Sequence, residues 1–289
     1  MIMAVSAFPM TVNADMGPKA SVRIHVEHSG DELCYGTLLS KEKSTGPASA
    51  WDGRMESAPK EYMDPGIWEI FVNYKDPDGY YFLQRSWKVS ESKELAWTYY
   101  PPGDFKILLY YPETETFVSS GIYARYAFDT YYTVDMDGVD IGSVEYNDDL
   151  STNERIEAYR SYNYRQEMLA LGARIVLTIL IEMLVALLFG FRQKKQLLIL
   201  AVVNIITQII LNVLLNVINY NSGPLAFTFF YVLFELIVFA LEAVLYCTIL
   251  KRLSEKKKED AYYILYSFVA NLISFGAGLF LAAKLPGMF

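Results

Sequence analysis

Histidine and cysteine are nearly missing from this 289-residue chain, with two of each. His25 and His28 stand at i, i+3 on an expected strand and turn, a poor spacing for metal ligands. Cys34 and Cys247 lie in different halves of the sequence. They are not expected to pair, and Cys34 reads as a small core residue. The apolar C-terminal half contains no histidine, no paired metal-ligand motif and no serine with a visible base partner. Catalysis is therefore not indicated, and no cofactor is implied. Basic residues are scarce in the first half: residues 1–165 hold 15 Lys and Arg against 26 Asp and Glu, a net charge of −11. Nucleic-acid binding needs clustered cations to neutralise phosphates, so that partner is excluded. The most telling absence is in Leu225–Leu250, 26 residues without a single Lys or Arg but with Glu235 and Glu242 in the middle.

Around that stretch the sequence is built of long apolar runs. Residues 169–191, 197–219, 225–250 and 261–283 each reach the ~20 residues that cross a ~30 Å hydrocarbon core. Their loops differ in charge. Arg192, Lys194 and Lys195 follow the first run, and Lys251, Arg252 and Lys256–Lys258 follow the third, whereas Tyr220–Pro224 carries no charge. The positive-inside rule then places loops 192–196 and 251–260 in the cytoplasm and both termini outside, in a multi-pass protein of the cell membrane. The N-terminal stretch agrees with this: an apolar run ends in Val12-Asn13-Ala14, a small-residue signal-peptidase pattern, so residues 1–14 read as a signal-peptide remnant.

Residues 15–146 read as an extracytoplasmic β-rich domain. Ser21–Glu27 alternates Val22, Ile24 and Val26 with Arg23, His25 and Glu27, the period of a half-buried strand. The turn around Gly30 leads to a second strand at 33–39, and the pair is expected to form a hairpin. Further strands are expected at 80–89, 95–100, 105–111, 116–120 and 123–134, rich in aromatic and β-branched residues. Seven strands of this spacing suggest a sandwich. One helix interrupts them, with Asp64 as N-cap and Pro65 at its first position. The tyrosines and tryptophans fit either a β core or a ligand groove. Asp135, Asp137 and Asp140 around Gly138 resemble part of a calcium loop, but Tyr146 stands where the closing glutamate belongs. Residues 147–168 read as a helical or flexible stalk.

Within the runs the polar residues form a candidate site: Glu182, Asn204, Gln208, Asn212, Glu235, Glu242 and Asn271, with Arg174 as a possible ion-pair partner in the first run. Polar faces of this kind avoid lipid and turn into the bundle. Counting depth at ~1.5 Å per residue puts Asn204, Glu242 and Asn271 on one level, and Asn212 with Glu235 on another, with Glu182 near. Interhelical hydrogen bonds at these levels are either glue or part of a proton, ion or small-solute site. Ser274, Gly278 and Ala282 add a small-residue face.

The fold class expected is thus an α+β membrane protein: a sandwich-like β-rich domain with one helix, followed by a four-helix transmembrane bundle in the lipid bilayer. Stretches such as MGPKASVRIHVE, DGYYFLQRSW, FKILLYYPETETFVSSGIYARYAFDTYY, LFGFRQKKQLL, VVNIITQIILNVLLN and FELIVFALEAVLYC resemble a family of uncharacterised bacterial multi-pass membrane proteins with this layout. The resemblance implies no activity and no site residues. The expected function is non-enzymatic: recognition of an extracytoplasmic protein or small-molecule ligand by the β domain, with the bundle as anchor. The alternatives are a transporter or channel component using the intramembrane glutamates and, third, a membrane-embedded hydrolase.

Overall fold

The computed structural model describes residues 17–42, 50–51, 63–139, 141, 156–254 and 257–284. The expected signal segment at residues 1–14, Asp140 of the calcium reading and residues 147–155 of the stalk lie outside them.

Among the described residues, nine strands form two sheets: β1 (Ser21–Glu27), β2 (Tyr35–Ser40), β3 (Tyr81–Lys88), β4 (Glu94–Trp97), β5 (Asp104–Tyr111), β6 (Thr116–Ser119), β7 (Tyr123–Ala124), β8 (Asp129–Asp135) and β9 (Ala158–Arg160). One sheet runs β4-β1-β8-β9, and the other runs β3-β2-β5-β6 with β7 also on β5. Val22, Ile24 and Val26 of the first sheet and Leu38, Leu83, Ile107 and Leu109 of the second share one core. The helix α1 (Pro65–Asn73) covers the outer face of the second sheet, packing Ile67, Trp68 and Phe71 on Leu39, Phe82, Leu108 and Tyr110. Asp64 caps it as expected, accepting from the N–H groups of Gly66 at 2.8 Å and Ile67 at 3.1 Å. Because β5 is covered on both faces, its sequence is a nearly unbroken apolar run rather than an alternation. The tryptophans and most tyrosines of the domain fill these two cores.

Two local expectations are corrected. β1 and β2 are not a hairpin: β1 pairs with β4 and, in parallel, with β8, while β2 pairs with β3 and β5. Both strands present their apolar faces to the same core, so the turn between them carries the chain from one sheet to the other. The expected strand 123–134 is broken in two, because the Thr130 hydroxyl accepts from the N–H groups of Tyr126 and Ala127, 3.2 Å each, and donates to the Ala127 carbonyl at 3.1 Å. That bond set closes a turn between β7 and β8.

The described end of the expected stalk is also ordered differently. Ala158–Arg160 pairs with Tyr132–Val134 as the edge strand β9, and three residues later the first long helix begins at Tyr164. Asn163 caps that helix through the Gln166 N–H at 3.1 Å. Residues 158–168 of the expected stalk are thus an edge strand followed by a capped helix.

Among the described residues, three helices are long and apolar enough to cross a membrane: Tyr164–Leu188, Lys194–Leu253 and Asp260–Leu281. Their large apolar side chains point outward, among them Leu188 at 86% and Leu169 at 67% exposure. Such a surface needs lipid. The second helix is interrupted at Gly223, whose φ of 81° and ψ of −178° are not helical, with Pro224 behind it. The Thr207 hydroxyl meets the Glu242 carboxyl at 3.0 Å although 35 residues separate them. A straight helix would hold them about 50 Å apart at ~1.5 Å per residue. The chain therefore doubles back at Gly223, and the arms 194–222 and 225–253 lie side by side.

Candidate functional site

The first helix brings Arg174 and Glu182 to the interior on one stripe, eight residues apart. The near arm of the second helix presents Asn204, Thr207, Gln208, Asn212 and Asn216 at helical spacing. Glu235 and Glu242 come from the far arm, and Asn271 and Ser274 from the third helix. Most of these side chains are buried, Glu182 and Glu242 completely.

Glu242 is fully engaged. Its Oε1 accepts from Thr207 at 3.0 Å and its Oε2 from Asn271 Nδ2 at 2.7 Å, so one carboxyl ties three segments together. Asn271 Nδ2 also reaches the Ser267 carbonyl at 2.9 Å, which fixes the amide. Asn204 shares the level, as expected from depth, but its Oδ1 accepts from the Tyr246 hydroxyl at 3.1 Å instead of meeting Glu242. A π-helical turn, Tyr246–Leu250, begins four residues after Glu242. Glu182 accepts from Ser274 at 3.3 Å through Oε1. The Asn204 amide lies beside the Glu182 carboxyl, yet neither Asn204 Nδ2 nor Glu182 Oε2 completes a hydrogen bond.

The second expected level is arranged differently. Asn212 donates to the Gln208 carbonyl at 2.9 Å and to Gln208 Oε1 at 3.2 Å, within its own helix, and not to Glu235. Backbone acceptance at i−4 is available locally, so the amide takes it before reaching across. Glu235 instead lies beside the Tyr231 hydroxyl one turn earlier, and its Oε2 has no partner. Arg174 makes no ion pair among the described residues. It donates to Asn216 Oδ1 at 2.9 Å and packs over the Phe227 ring, 5.8 Å from its centroid. Glu182 is two turns further along the same helix, beyond reach of the guanidinium, and Glu167, two turns before Arg174, is its neighbour in the outer cavity but not an ion-pair partner.

Two adjoining cavities run through this region. One, about 190 Å³, is lined by Glu167, Arg174, Asn216 and Asn219 near the β domain. The next, about 200 Å³, is lined by Arg174, Thr178, Gln208, Tyr231, Glu235 and Ser274. They share Arg174, Pro224 and Phe227, which form the neck. The β domain stands over the outer end: the Phe128 N–H donates to the Tyr220 carbonyl at 2.8 Å, and the Tyr162 ring meets the Tyr220 ring at 5.3 Å.

At the far end an aromatic cluster closes the bundle. Phe189 and Phe191 pack on Tyr262, Tyr263 and Tyr266, and Tyr266 donates to the Glu182 carbonyl at 3.4 Å. Gln196 and Tyr263 both donate to Ser254, at 3.0 Å and 3.1 Å, joining the two basic loops. Tyr266, Tyr263 and Ser254 were not singled out by sequence reasoning. The only signal for them is a run of tyrosines where a span enters the interface.

Elsewhere the acidic candidates serve the β fold. Asp135 accepts from the Asp137 N–H at 3.0 Å and pairs with His28 Nδ1 at 2.7 Å. Asp76 and Asp78 hold the buried Lys106 ammonium, Asp78 at 2.9 Å. Cys34 is enclosed in the core, and burial pushes its thiol up to about 11. Among the described residues no group of three His, Cys, Asp or Glu side chains is placed to hold a metal ion.

Compared with models of known protein families, with curated proteins and with solved structures, the chain matches none.

Proposed function

We propose that this is a multi-pass membrane protein whose bundle takes up a small polar solute from the side on which the β domain stands, as a transporter or channel component. In this reading the arms 194–222 and 225–253 are separate crossings, so the chain has four spans. Their basic loops face the cytoplasm and the β domain is extracytoplasmic. The observation that carries the reading is that three residues lining one cavity, Arg174, Gln208 and Glu235, each hold a buried polar atom without a hydrogen-bond partner: Nε, Nε2 and Oε2. Groups that only glue helices together have their polar atoms paired, as both oxygens of Glu242 are, with Thr207 and Asn271 Nδ2. Groups left unpaired around a cavity are what a polar solute would satisfy.

Recognition by the β domain is the second reading, and one observation favours it. Phe128 and Tyr162 meet Tyr220 at the end of the bundle where Glu167 and Asn219 line the outer cavity. A partner or ligand held by the domain there would stand at the entrance.

The experiment is thiol labelling of Thr178→Cys, with Cys34 and Cys247 replaced by alanine, in sealed vesicles. A membrane-impermeant methanethiosulfonate added on the β-domain side labels the new thiol if the cavity is reached. Labelling only after denaturation in detergent would rule out the solute path.

A further inference from the structure

The inner cavity has fixed groups of opposite character along its length. At the neck is Arg174, a guanidinium with no carboxylate within ion-pair distance among the described residues and with its Nε lacking an acceptor. Deeper lies Glu235, whose Oε2 lacks a donor, and Tyr231 lines the same cavity. Gln208 is 2% exposed, and its orientation is set. Asn212 Nδ2 donates to the Gln208 carbonyl and also to Gln208 Oε1, so Oε1 must face Asn212 and Nε2 is left without a partner.

An anion alone would satisfy Arg174 but confront Glu235, and a cation alone would do the reverse. A buried charge is stable only when paired. A volume of about 200 Å³ lies below the ~300 Å³ at which pockets for drug-sized ligands begin, which suits a molecule the size of an amino acid.

We propose that the cavity binds a small zwitterion, its carboxylate on Arg174 and its ammonium on Glu235, with Gln208 Nε2 as a further donor to its oxygens. This rests on the solute-site reading above and names the class of solute.

The test is the melting temperature of the full-length protein in detergent with glycine, alanine, β-alanine or 4-aminobutyrate. Acetate and methylammonium at equal ionic strength serve as single-charge probes. At least one zwitterion should raise the melting temperature saturably, by about 5 °C at roughly hundred-fold excess over its Kd. The rise should vanish in Arg174→Gln and Glu235→Gln and persist in Glu113→Gln on the β domain. Should Arg174→Gln fail to fold, protection of the Thr178→Cys thiol by the same zwitterion gives the answer without it. A thiol that is labelled but never protected, with no melting shift, overturns the zwitterion and leaves the solute path standing. Equal shifts with acetate or methylammonium overturn it too. A thiol that is never labelled overturns both.

Discussion

Phe128 occupies the space that a side chain on Gly223 would need. Ring atoms of Phe128 lie 2.6 Å from where a Cβ at position 223 would stand, and the Phe128 N–H is bonded to the Tyr220 carbonyl at 2.8 Å. The β domain is thus seated on the point where the second helix turns back, beside Pro224 at the neck of the cavities. Here the fold of one half sets the geometry of the other.

The first prediction follows from that contact. Gly223 sits in a backbone region open essentially to glycine alone, so Gly223→Ala should cost about 1–3 kcal/mol in strain before the clash with Phe128 is counted. Thermal melting of the full-length chain should fall, and adding Phe128→Ala should restore the clash component but not the strain. Wild-type melting of Gly223→Ala would show that the chain does not turn there as described.

Lys106 supplies the second. Its ammonium is 3% exposed between Asp76, which is fully buried, and Asp78, which is 45% exposed. Lys106→Met leaves Asp76 with the N–H groups of Asp78 and Tyr80 but no cation. The cost should be about 3–5 kcal/mol, whereas Asp78→Ala should cost about 1 kcal/mol or less. Tryptophan fluorescence reads this cleanly, since Trp51, Trp68, Trp87 and Trp97 all belong to the β domain.

The third concerns pH. Hydrogen bonding and attraction from Asp135 raise His28 above its ordinary value of 6.5. The Asp137 N–H and His28 lower Asp135 below its ordinary 3.8. The histidine contribution is complete below 6.5 and lost as pH rises through the raised value. The aspartate contribution is complete above 3.8 and lost as pH falls through the lowered value. The pair therefore stabilises most between about pH 4 and 6.5. The melting difference between wild type and His28→Ala should peak in that window and fade above it. A difference that is flat from pH 4 to 9 would remove the ion pair from the account.

Much of this architecture is legible in local patterns. Strict alternation marks β1 to the residue, Asp64-Pro65 marks the start of α1, and the unbroken apolar stretch in β5 marks a strand covered on both sides. Depth counting finds the Glu242–Asn271 bond, because two helices crossing the same slab must match levels. What local pattern cannot reveal is pairing across long separations. β1 lies parallel to β8, more than a hundred residues on, and nothing in either strand names its neighbour. Nor does depth say which of two satisfied choices an amide takes. Asn212 bonds back to Gln208 rather than across to Glu235, and Glu235 Oε2 is left without a partner.

That difference between the two acids gives the most direct test of the central claim, that Glu235 belongs to a solute site and Glu242 to the glue of the bundle. The measurement is the melting temperature of Glu235→Leu beside Glu242→Leu, in full-length protein without added solute. Glu242→Leu breaks both interhelical bonds of the carboxyl, leaving Thr207 and Asn271 only the carbonyls of their own helices, and should lose about 1–3 kcal/mol. Glu235→Leu removes a carboxyl whose Oε2 has no partner and whose contact is the Tyr231 hydroxyl, and it should melt close to wild type, as residues kept for function rather than stability do. A loss at Glu235 as large as that at Glu242 would make both acids structural and contradict the solute site.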